Sequence, residues 1–136
     1  MIAVDTNVLV RLLVNDPADQ AQIEVAKNLL RTAGQVYVPQ IVQVEMVWVL
    51  ETAYYFDKKA ILQVLQHLSE HPCFILQHLE LFIIATNDYH HSHADFSDCL
   101  ILAESCHQAY QLATFDRKLG KLHDVRWLTI NEISPI

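Results

Sequence analysis

The sequence predicts an α/β fold: a three-layer α/β/α domain in which a central parallel sheet is covered by helices on both faces. Three observations carry that prediction. Short apolar runs of strand character alternate with segments of helical periodicity, the order expected of a parallel sheet with crossover helices. A hydrophobic content of 52% supplies a core that can be covered on both sides. The 136 residues include only two Gly and four Pro, and no low-complexity tract, linker or repeat interrupts them. One domain over residues 1–136 is therefore expected.

Ile2-Ala3-Val4 reads as a first buried strand that ends at Asp5 and feeds a helix bearing Val8, Leu9, Val10, Leu12 and Leu13. Asp16-Pro17 breaks that helix, and residues 17–33 carry a second helical pattern closed by Gly34. Val36-Tyr37-Val38 is a second strand. Pro39 opens a long helix that runs to about Tyr54-Tyr55-Phe56, and residues 58–69 form another on Ile61, Leu62, Leu65 and Leu68. Residues 74–79 are a weak strand, and 80–91 and 96–110 are helical. Residues 111–114 form a strand, 116–122 a short helix and 125–128 a last strand. Ligands of such sheets gather at the carboxyl ends of strands.

The net charge of −7 argues against sequence-independent nucleic-acid binding, although a bound divalent cation inverts the local field of an acidic site. Cys73, Cys99 and Cys106 are odd in number and contain no C-x-x-C pair, so they read as core filling in a reducing compartment. Met1 leads directly into the first strand, and no apolar stretch is long enough to span a bilayer. A cytoplasmic protein with no membrane partner is expected.

Chemistry is sought among acids in apolar settings. Glu45 lies within Ile41-Val42-Gln43-Val44-Glu45-Met46-Val47-Trp48-Val49-Leu50, with no basic residue inside four positions. On a helix its neighbours are Ile41, Val42, Trp48 and Val49, so it lacks a local ion pair and is read as desolvated. Asp5 and Asp116 follow strands, and Asp98 starts a helix with Ile101 and Leu102 beside it. Four carboxylates converging on one site would repel and raise one another's pKa unless a cation neutralised them. Hard oxygen donors without a His or Cys pattern favour Mg²⁺ or Mn²⁺ over Zn²⁺. Such ions activate water for phosphodiester hydrolysis.

Four segments, Val4-Asp5-Thr6-Asn7-Val8-Leu9, the lone Glu45, Asp95-Phe96-Ser97-Asp98-Cys99-Leu100-Ile101 and Thr114-Phe115-Asp116-Arg117-Lys118-Leu119, resemble the PIN-domain family, especially its VapC-like toxin ribonucleases. The resemblance covers essentially the whole chain and rests on the order and spacing of the segments together. It implies an acidic quartet of Asp5, Glu45, Asp98 and Asp116 that binds Mg²⁺ or Mn²⁺ and activates water. Thr6, Asp95 and Thr114 would be accessory, and Arg117 and Lys118 would meet substrate phosphate. The implied activity is endonucleolytic cleavage of RNA, with a small antitoxin and a second copy of the chain as partners.

Structural roles compete with these assignments. Asp5 and Asp116 suit helix caps, Asp95 and Asp98 have capping-box spacing, and Glu45 has a distant partner available in Arg11. His90, His91 and His93 lack a further ligand pattern and read as an exposed helix end. Trp48, Tyr54, Tyr55 and Phe56 read as core or interface aromatics. Two rival functions are a receiver-like phosphoacceptor module, which lacks its usual acidic pair here, and a catalytically silent PIN-like scaffold for protein binding.

Overall fold

Strands of two or three residues, all paired in parallel, organise this protein in a computed structural model that describes residues 1–130. The last six residues of the expected single domain lie outside that range. Two compact units are present, one over Met1–Leu79 and one beginning at Glu80.

In the first unit β1 (Ile2–Ala3), β2 (Val36–Val38) and β3 (Phe74–Leu76) lie side by side in that order. Ile2 is opposite Val36, and Val38 opposite Leu76. Parallel neighbours need long crossovers, and helices supply them. The first contains α1 (Thr6–Leu13) and α2 (Gln20–Ala33), the second α3 (Gln40–Thr52) and α4 (Lys58–Glu70). The second helix starts at Gln20 rather than at residue 17. Asp16 Oδ1 accepts from the Ala18 amide at 2.9 Å and closes a separate 3-10 turn, Pro17–Asp19. Gly34, at φ +78°, then ends α2 in a conformation that favours glycine.

Leu9, Ile23, Val36, Val38, Met46, Leu50, Ile61, Leu65 and Leu68 are almost wholly buried and form this unit's core. The buried polar side chain of α3 is Gln43. Its amide Nε2 donates to the carbonyls of Val38 at 3.3 Å and Gln77 at 2.9 Å, tying α3 to the end of β2 and to the residue just past β3. Arg11 is committed elsewhere than to Glu45. It pairs with Asp19 at 3.1 Å, donates to Gln22 at 2.8 Å and to the Tyr54 hydroxyl at 3.2 Å, and Tyr54 donates in turn to Asp16 at 3.0 Å. Tyr54 is thus a polar tie between α1, the 3-10 turn and the end of α3.

The second unit contains α5 (Leu79–His90), α6 (Phe96–His107) and the parallel pair β4 (Leu112–Thr114) and β5 (Val125–Trp127). Phe82, Ala85, Tyr89, Phe96, Cys99, Leu102 and Leu119 are its buried residues of note. Helix α6 stops at His107 rather than residue 110, since Ala109 takes φ +59° and the Tyr110 amide turns back to the Ser105 carbonyl at 2.9 Å. The helix expected over 116–122 is reduced to a 3-10 turn, Leu119–Lys121. Among the described residues, no helix is long and apolar enough to cross a membrane.

Candidate functional site

Within the first unit, Asp5 and Thr6 sit where β1 gives way to α1. Asp5 Oδ1 caps that helix by accepting from the Val8 amide at 3.0 Å. A cap occupies one carboxylate oxygen, so the expected structural role leaves the other able to take a cation. Glu45 corrects the reading made from its neighbours. It is exposed, as are Ile41 at 69% and Trp48 at 66%, because α3 is apolar nearly all round and buries Val42, Gln43, Met46, Val47 and Leu50 on its other side. The desolvation argument for Glu45 therefore fails, and its candidacy rests on the family pattern.

The second unit brings three of the acids together. Asp95 is the N-cap residue of α6, yet its side chain makes no capping hydrogen bond, so the capping-box reading does not hold. Asp98, in the first turn of the same helix, is half-buried, with Leu102 beneath it and Ile101 48% exposed beside it. Burial raises its pKa above the usual carboxylate range, the negative charges of Asp95 and then Asp116 raise it further, and a hydrogen bond from its neutral form to Asp116 adds to the effect. Burial and two neighbouring carboxylates thus disfavour the charged form of Asp98, a penalty that a dication would relieve.

Backbone hydrogen bonds fix Asp116 past the end of β4. Its amide donates to Thr114 Oγ1 at 3.0 Å, its Oδ1 accepts from the Lys118 amide at 2.9 Å, and its carbonyl accepts from the Gly120 amide at 2.9 Å. Thr114 is thus a support for the Asp116 turn, while Arg117 and Lys118 are exposed beside it. Gly120 is there because nothing larger fits: a Cβ would lie 2.8 Å from Trp127 Cβ and Cγ. Gly120→Ala should therefore push the turn off β5, costing about 1–3 kcal/mol in denaturant unfolding. The Asp116 turn should be displaced with it, since the Gly120 amide holds the Asp116 carbonyl.

The PIN domain family model matches residues 2–125. The chain belongs to the PIN domain family. Its fold class is accordingly the α/β class predicted above, with parallel strands and helical crossovers. PIN domains are generally nucleases that act on nucleic acids and typically use divalent metal ions, and the family match sets aside the receiver-like alternative. Among curated proteins, none matches the chain significantly.

Another group in this PIN domain was not foreseen. Cys106, His123 and Asp124 each offer a ligand atom, all within 4.8 Å of one another. Cys106 departs from the expectation of core filling, which holds for the buried Cys99; Cys73 is also only partly buried. The signal for the group in the sequence is the adjacent His123-Asp124 pair.

Proposed function

We propose that this PIN domain is a divalent-metal-dependent endoribonuclease hydrolysing RNA phosphodiester bonds. The observation that carries the reading is Asp98, a half-buried carboxyl whose pKa is raised by burial and by Asp95 and Asp116. These donors are hard oxygens and suit Mg²⁺ or Mn²⁺. A bound ion supplies a more acidic water and stabilises charge on the phosphate oxygens. Asp98 and Asp116 would hold it, Asp95 tunes Asp98, and Thr114 positions Asp116. Asp5, with Thr6 beside it, and Glu45 join the metal-binding and catalytic set on the family pattern alone, Glu45 as orienting group or proton acceptor. Arg117 and Lys118, exposed next to Asp116, meet the phosphate backbone and offset the chain's acidity there.

The resemblance to VapC-like ribonucleases extends the proposal. The protein is the cytoplasmic toxin of a toxin-antitoxin pair, restrained by a small antitoxin and active as a homodimer. The exposed Ile41 and Trp48 on α3 are apolar surface that such partners would cover.

RNA cleavage by the full chain, followed with Mn²⁺ or Mg²⁺ present, tests the activity. Chelator should abolish cleavage, and Asp116→Asn should reduce it by about 100-fold or more. A catalytically silent scaffold would give no metal-dependent cleavage at all, and chelator-resistant cleavage would equally reject the mechanism.

A further inference from the structure

Cys106, in the last turn of α6, and His123 and Asp124, in the turn leading into β5, meet on the second unit. Cys106 Sγ lies 3.9 Å from Asp124 Oδ2, and His123 Nδ1 lies 3.5 Å from the same oxygen. Tetrahedral zinc with bonds of about 2.0–2.3 Å separates its donors by roughly 3.3–3.7 Å, so small side-chain rotations would close this group around an ion. The backbone already commits to the arrangement: Asp124 holds φ +56° while its carbonyl accepts from the Leu112 amide at 3.1 Å.

The other face of the imidazole is occupied as a metal-bound histidine requires. His123 Nε2 lies 3.2 Å from Oδ2 and 3.3 Å from Oδ1 of Asp88, a carboxylate on α5 whose side chain is 13% exposed. A carboxylate taking the remaining ring N–H fixes the tautomer and raises the basicity of the liganding nitrogen. Asp88 is therefore a positioning residue. His91 and His93 join Asp88 and His123 in lining one cavity of about 380 Å³, so the histidine cluster that the acidic site leaves unused has a place here. Lys118 and Lys121 line the same cavity, so their charge opposes any dication and the affinity must come from thiolate and imidazole bonding.

We infer that the second unit of this PIN domain carries a zinc-type site, with Cys106 Sγ, His123 Nδ1 and Asp124 as protein ligands, Asp88 orienting the imidazole, and a fourth position open to water. Sulfur, nitrogen and oxygen donors together select Zn²⁺ over Mg²⁺ or Mn²⁺, so the site is separate in chemistry from the carboxylates of Asp95, Asp98 and Asp116. Binding exchanges the Cys106 thiol proton, released to solvent, for a sulfur–metal bond. The ion would tie α6 to the segment joining β4 and β5, which also carries Asp116. With His123 and Asp124 exposed, it would exchange readily.

Titration of the full chain with Co²⁺, a spectroscopic stand-in for Zn²⁺, tests the site without reference to nuclease activity. One equivalent should produce a thiolate-to-cobalt charge-transfer band that Zn²⁺ removes by displacement. Cys106→Ser should abolish the band and weaken Zn²⁺ binding by at least about 100-fold, and the exposed-site variant His123→Gln should weaken it comparably. Asp88→Asn should keep the band but weaken binding by about 10–100-fold. Asp98→Asn should leave both unchanged. The inference is overturned if no band forms, if it survives in Cys106→Ser and so comes from Cys73 or Cys99, or if Zn²⁺ binding is lost with Asp98 instead.

Discussion

Asp98→Asn should lose RNA cleavage by at least about 100-fold while making the metal-free protein more stable at neutral pH. The two effects have one cause. Burial, and then the charges of Asp95 and Asp116, raise the Asp98 pKa in the folded chain, so folding favours its protonated form. The stabilisation from the bound proton is fully present below the unfolded-state pKa of an aspartate. It is lost as pH rises through the raised folded value. An asparagine keeps the shape and the ability to donate to Asp116 without acquiring a charge. Its Tm advantage over the parent should therefore open only as pH climbs above the ordinary carboxylate range and should vanish in acid. Mn²⁺ should reverse the order. At a concentration of 100 times its Kd, a ligand that binds only the folded state adds about 2.7 kcal/mol. The parent should gain most of this and the variant little. Thermal melts across pH, with and without Mn²⁺, check both halves; a variant less stable than the parent at neutral pH without metal would show that Asp98 is a structural group.

Asp98 also shows what could be read from the order of residues. Its apolar i+3 and i+4 neighbours on α6 announced a partly buried acid, and the fold keeps it so because Leu102 beneath it is in the core. The same rule misled for Glu45. On α3 the apolar residues run round the whole helix, so neighbours at i±3 and i±4 do not say which side faces the core. Gln43, two positions away, is the polar residue buried there. Element order was legible because apolar periodicity and breakers such as Asp16-Pro17 and Gly34 are local signals. Details set by hydrogen bonds to distant atoms were not. Asp95 has capping-box spacing from Asp98 but forms no cap, and Asp116 caps an isolated turn rather than a helix. The meeting of Cys106 with Asp124, 18 residues away, depends on where β5 pairs with β4, which no spacing rule encodes.

Phe96→Ala should be the most destabilising single change within the second unit, by about 3–5 kcal/mol. Phe96 is the first residue of α6 and only 1% exposed. Its ring meets Phe82 of α5 edge-on at 5.6 Å between centroids and Tyr89 at 6.0 Å, with interplanar angles of 69° and 89°. Truncation removes both aromatic contacts and leaves a cavity between two helices. A loss of this size is comparable with the whole stability of a marginal domain. The consequence for function follows from position, because Phe96 lies between Asp95 and Asp98 and anchors the helix start that presents both. Phe96→Leu, which refills much of the volume, should recover a large part of the stability and cleavage lost in the alanine variant. Denaturant unfolding and cleavage assays on the pair decide the matter. Equal activity in the two variants despite unequal stability would break the proposed link between the aromatic cluster and the placement of the acids.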